Sequence, residues 1–188
     1  MAARSRSGST PRRARPATPP DRTRTAQWRP PISFLPKALR EPRRPLLALA
    51  IAWATAFLPS VPLGAAVSSL LPRSALPVFP EVDWYFFFLI VVAAPVLETI
   101  MMGAALLLLR LFLSPTHAVL VSAVGWGILH STAAPAWGLV IWWPFLVFST
   151  VFLTWRGRSL FAALGMAAAT HALHNLLPAL LMVFGRQG

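Results

Sequence analysis

LFAALGMAAATHALHNLLPALLMVFG, residues 160–185, runs for 26 residues without a single Lys, Arg, Asp or Glu. About 20 such residues suffice to cross the hydrocarbon core of a bilayer. The stretch therefore predicts a membrane-spanning helix over roughly 159–184. Its only polar interruption is THALHN, residues 170–175, which places two histidines and an asparagine where lipid or a packed helix core is expected.

The rest of the chain repeats the pattern. Of 188 residues 56% are hydrophobic and only 12% charged, and the mean hydropathy is +0.63. An ordinary soluble domain carries about twice that charge. There is no cysteine, so disulfides and thiolate sites are excluded. The net charge of +12 is lopsided: residues 1–44 hold 12 of the 17 Lys and Arg and two of the five acids. This segment is rich in Arg, Pro, Ser and Thr, a composition expected to stay disordered. It reads as a cytoplasmic tail that fixes topology and touches anionic lipid. Its prolines spoil the amphipathic helix of a transit peptide, and Arg43-Arg44 makes only a poor twin-arginine signal.

Four further crossings follow. Between Arg44 and Arg73 lie 28 uncharged residues, enough for a span at about 45–64. Residues 84–113 form a second apolar segment, interrupted by Glu98 and Arg110, with Pro95 expected to bend it. The 45 residues between Arg110 and Arg156 can cross twice, turning at STAAPAWG, 131–138. The expected fold is therefore all-α: a polytopic helical membrane protein of about five transmembrane helices over 45–185, with a disordered basic tail over 1–44. With the tail inside, Arg110 and the WRGRS loop at 155–159 also fall inside, while Glu81 and Asp83 fall outside, as the positive-inside rule requires. The composition and the Arg-rich tail fit a bacterial inner membrane.

Few ionisable groups lie within these segments: Glu98, His130, His171 and His174, with Arg110 near a helix end, where it can snorkel. A carboxylate at membrane depth costs roughly 2.5–3.5 kcal/mol on insertion scales. A partner or a function must offset that. Each residue taken singly has a structural explanation, such as a protonated Glu bonded to a neighbouring helix or a His and an Asn joining two helices. His171 and Asn175, four apart, share a helix face about 40° wide, with His174 to the side.

Together they form a set able to hydrolyse a peptide bond. A carboxylate shielded from bulk water can act as general base towards a water molecule, with a histidine to orient it. A second histidine and an asparagine amide can donate to a developing oxyanion. Ser131 and Thr132 follow His130, but no Gly-x-Ser-x-Gly elbow activates a hydroxyl. Glu98, His130 and His171 could instead hold Zn²⁺ with one open position, although the His-Glu-x-x-His signature is missing.

The ordered trio of motifs resembles the CPBP family, the CAAX proteases and bacteriocin-processing enzymes, which are polytopic membrane endopeptidases. The family's first motif, Glu-Glu-x-x-x-Arg after a proline, is matched by PVLETIMMGA at Glu98, with Thr99 in place of the second glutamate and Gly103 in place of the arginine. WGILH matches the aromatic-x-x-x-His motif through Trp126 and His130, and HALHN matches His-x-x-x-Asn through His171 and Asn175. The similarity covers Pro95 to Asn175, within a CPBP-like core of about 84–184. It implies that Glu98 and His130 activate water and that His171 and Asn175 stabilise the oxyanion, without a cofactor. It also implies a protein or peptide substrate with a membrane-associated terminus. His174 lies outside the motif and reads either as packing or as support behind the site residues.

Three other readings compete: an inactive CPBP-like scaffold or partner-binding subunit, a small transporter or proton relay, and a nucleic-acid binder. No internal repeat supports the transporter. No folded motif supports nucleic-acid binding, and no nucleic-acid partner is expected.

Overall fold

In the computed structural model the described residues are 32–79 and 83–185. They fold as a helical bundle in which no strand occurs. A short helix α1 (Lys37–Arg40) precedes α2 (Pro45–Leu70). α3 (Trp84–Phe88) passes through a π-helical turn, Leu89–Ala93, into α4 (Ala94–Leu109). Then come α5 (Pro115–Ser131), α6 (Gly138–Arg156) and α7 (Leu160–Phe184). Four units are long and apolar enough to cross a membrane: α2, the continuous α3–α4 unit, α6 and α7. The fifth expected crossing falls on α5, whose 17 residues reach about 25 Å at 1.5 Å per residue; α5 is not one of those four.

Two boundaries differ from those expected. The first span does not stop near residue 64; α2 continues through Pro59 and Pro62 to Leu70. Most of the expected disordered tail lies outside the described residues, as does Glu81. The described part, 32–44, is solvated only in part: Ile32, Leu35 and Leu39 are buried in the core, and Thr154 Oγ1 donates to the Leu39 carbonyl at 2.8 Å, while Phe34, Lys37, Arg43 and Arg44 are exposed. Three apolar side chains over eight positions gain more by covering the end of the bundle than by staying in water.

α6 is the centre of the bundle. It packs against α1, α2, α4, α5 and α7. Every residue from Pro144 to Trp155 is buried, as expected of a helix apolar on all sides. Its N-terminus is pressed onto α5 at two glycines. A Cβ on Gly138 would collide with the Gly127 carbonyl and the Ser131 hydroxyl, and one on Gly127 would lie 3.1 Å from the Gly138 oxygen. Small residues permit such backbone-to-backbone approach where hydrocarbon supplies no drive for helices to associate.

The helices alternate in direction, so the molecule has two chemically distinct ends. One gathers Lys37, Arg40, Arg43, Arg44, Arg110, Arg156 and Arg158 around the start of α2 and the ends of α4 and α6. The other carries Arg73, Asp83, which caps α3 by accepting from Phe86 N–H at 2.7 Å, and the segments 71–79 and 132–137. These two loops are joined by a hydrogen bond from Ala136 N–H to the Ala75 carbonyl, 3.0 Å, and by the Phe79 and Trp137 rings, whose centroids lie 5.5 Å apart.

Prolines inside helices leave carbonyls without their usual donor, and the fold supplies replacements. Pro59 has no N–H to offer the carbonyl four residues earlier, that of Thr55. Trp143 Nε1 on α6 takes that position at 2.9 Å, binding α2 to α6. Trp143→Phe should lower unfolding stability in detergent by about 1–2 kcal/mol, because the Thr55 carbonyl loses its donor. Adding Pro59→Ala should restore most of that loss through the new N–H at 59. Equal stability of Trp143→Phe and the unmutated chain in a denaturant titration would exclude the bond as a contributor.

Candidate functional site

Glu98 on α4, His130 at the end of α5, and His171 and Asn175 on α7 line one cavity of about 240 Å³. Residues up to 77 positions apart are thereby brought together. His174, expected to serve packing or to support the site residues, also lines it. The walls are apolar and aromatic: Phe145 and Phe148 from α6, Ile90 and Ala94 from the α3–α4 unit, Pro178 from α7. Phe79 and Trp137 stand at the end where the two loops meet.

Glu98 Oε2 and His171 Nε2 lie 3.8 Å apart across the cavity. That is beyond a direct hydrogen bond. It does leave both atoms within reach of one shared water or substrate atom. The His171 ring is buried, while the carboxyl is partly open to the cavity. Phe148 stacks on the imidazole, centroids 4.6 Å apart and planes at 24°, and Phe145 meets it edge-on at 5.4 Å. These contacts fix the ring plane. His171 Nδ1 is buried without a hydrogen-bond partner, so Nε2 is its chemically useful nitrogen.

His130 is held differently. Its Nδ1 lies 2.8 Å from the Trp126 carbonyl one turn back. A carbonyl only accepts, so Nδ1 carries the proton and the neutral ring keeps a lone pair on Nε2. Trp137 abuts the ring edge-on at 5.0 Å and Phe145 lies at 5.5 Å. Thus the aromatic of the second motif, Trp126, acts through its backbone as well as its ring, whose centroid is 5.9 Å from that of His130. His174 sits between Phe57 and Phe148, at 5.8 and 5.7 Å, with its Nδ1 also buried and unpaired.

Asn175 has a defined structural task. Ala94 N–H bonds the Leu89 carbonyl in the i→i+5 register of the π-helical turn. The next donor in that register would be residue 95, a proline. The Ile90 carbonyl therefore lacks its donor, and Asn175 Nδ2 supplies one at 3.0 Å. The acceptor fixes which end of the amide is nitrogen. This bond ties α7 to the turn that leads directly into Glu98. The amide retains a second N–H.

The two departures in the first motif are accommodated by packing. Thr99 is fully buried, its hydroxyl without a hydrogen-bond partner. A Cβ on Gly103 would lie 2.6 Å from the Phe152 ring. A larger side chain there would need the Phe152 ring to move. Among the described residues no three His, Asp or Glu side chains group as a metal site. Glu98, His130 and His171 line a common cavity.

The residues that close the cavity, Phe79, Trp137, Phe145 and Phe148, were not expected from the sequence. Nothing separates them from other aromatics in the chain. Pro95 was legible as a bend but not as the cause of an unpaired carbonyl at Ile90.

Comparison of the chain with protein-family models, curated proteins and solved structures returned no match.

Asn175→Leu should cost about 1–2 kcal/mol of stability in the absence of any substrate, since the Ile90 carbonyl would be left unpaired. Pro95→Ala in that background should recover part of it. A stability unchanged by Asn175→Leu would mean the amide serves the cavity alone.

Proposed function

We propose that the protein is an intramembrane endopeptidase similar in mechanism to the CPBP family, cutting a peptide or protein near a membrane-associated terminus. The observation that carries this reading is the meeting of Glu98, His130, His171 and Asn175 in one cavity, with Glu98 and His171 3.8 Å apart. Intramembrane ionisable residues that converge on a cavity are costly unless they serve a function.

In this mechanism a water enters between Glu98 and the histidines. The Glu98 carboxylate takes a proton from it, while the lone pair on His130 Nε2 accepts its second hydrogen and orients it. The oxygen adds to the substrate carbonyl carbon. Charge develops on the carbonyl oxygen, to which His171, with its proton on Nε2, and the free N–H of Asn175 donate. Glu98 returns its proton to the leaving amine as the C–N bond breaks. No metal ion is needed for any of these transfers.

In this reading the chain lies in a bacterial inner membrane, crosses it five times and keeps its N-terminus cytoplasmic. The collection of Lys and Arg at the α1/α4/α6 end supports that direction, and the cavity then opens on the opposite side. Because the chain has no cysteine, topology can be mapped with single introduced thiols. Ala133→Cys should react with an impermeant maleimide in intact cells, and Arg158→Cys only after lysis. The reverse pattern would invert the orientation.

The second reading, an inactive scaffold of the same architecture, is favoured by Thr99 and Gly103 in the first motif, where Glu98 is left without a carboxylate or guanidinium neighbour. One assay separates the two. Reconstituted chain should cleave lipid-anchored peptide substrates. Glu98→Gln, which keeps the side-chain volume, should lower kcat by about 100-fold or more. His130→Ala and His171→Ala should do the same. Retained biological activity in Glu98→Gln would sink the protease reading and leave the scaffold.

A further inference from the structure

At the basic end of the bundle a second cleft of about 310 Å³ lies between α4, α5 and α6. Arg110, at the end of α4, and Arg156, the last residue of α6, both line it, with Pro115 at the start of α5 between them. Its deeper wall is apolar, made by Leu107 and Leu153. Both guanidiniums are exposed. Arg110 spends one donor on the Leu113 carbonyl, which holds the side chain in place and leaves four others free. No carboxylate lines the cleft, and the described acid at this end, Glu41, is engaged with Lys37 at 3.7 Å. Arg158, on the loop just beyond, stacks over Trp155 at 5.5 Å and adds a third exposed positive charge.

Two features determine what could fill such a cleft. The paired guanidiniums call for an anion with several oxygens, above all a phosphate. The apolar wall below them, at the termini of membrane-crossing helices, calls for hydrocarbon attached to that anion. We infer that the cleft between Arg110 and Arg156 is a binding site for one acidic phospholipid, its phosphate held by the two guanidiniums and an acyl chain laid along Leu107 and Leu153. The site is separate from the Glu98 cavity and shares no residue with it. It also differs from diffuse attraction by the basic N-terminal segment, because it depends on two named side chains far along the chain.

The test is native mass spectrometry of the full chain released from nanodiscs of equal parts phosphatidylglycerol and phosphatidylcholine. The unmutated protein should retain one phosphatidylglycerol in clear preference. Juxtamembrane arginines favour anionic lipid by roughly fivefold each, so Arg110→Gln with Arg156→Gln should reduce the preference by about 30-fold. Arg43→Gln with Arg44→Gln, which removes two charges of the same end outside the cleft, should leave the retained adduct in place. Arg110→Lys with Arg156→Lys should keep part of the preference, and far-ultraviolet circular dichroism would verify that each variant is folded. The inference is overturned if the Arg110/Arg156 glutamine variant keeps the preference, or if the Arg43/Arg44 variant loses it equally. Displacement of the lipid by millimolar inorganic phosphate would also overturn it, by showing a site for the free anion.

Discussion

Polar groups inside an apolar bundle must find their partners within the protein, and the prolines make this requirement specific. Each proline within a helix removes a donor, and in hydrocarbon no water replaces it. Two of the freed carbonyls are met from across the bundle: Thr55, opposite Pro59, by Trp143, and Ile90, opposite Pro95, by Asn175. The first bond fastens α2 to α6 and the second fastens α7 to the turn before Glu98. The same two bonds set where the candidate site lies. Helix irregularities thus act as sockets that fix how neighbouring helices dock.

α6 performs the complementary task. It contributes no ionisable residue to the cavity, only surface. Phe145 and Phe148 contact His130, His171 and His174 through ring faces and edges, and Phe152 closes the space above Gly103. Aromatic packing orients an imidazole without competing for its nitrogens. That leaves Nε2 of His171 for the cavity and, with Nδ1 of His130 committed to Trp126, Nε2 of His130 as well. A site assembled from separate helices gains precision when its rings are clamped by a helix buried over Pro144–Trp155.

The charge distribution follows another logic. Most of the described cations collect at one end, whereas the Glu98 cavity lies towards the other, where Arg73 is placed. A guanidinium near the cavity would compete for Glu98. At Gly103, just over one turn beyond Glu98 on α4, there is no side chain and the Phe152 ring fills the space. Glu98 consequently meets a histidine alone, and its carboxyl keeps no permanent partner among the described residues.

The sequence by itself was enough to establish the helical membrane class, since runs such as 160–185 and 45–72 have no other stable form in lipid. It also singled out Glu98, His130, His171 and Asn175, because ionisable and amide groups stand out against an apolar background. Only the tertiary structure decided that these four share a cavity with His174, that Asn175 spends one N–H on Ile90, and that Ile32, Leu35 and Leu39 belong to the core. Those facts depend on which helix faces meet. In segments apolar on nearly every side, the pattern along the chain does not mark a face, and neighbours at such distances in sequence are chosen by packing and by the carbonyls that prolines leave unpaired.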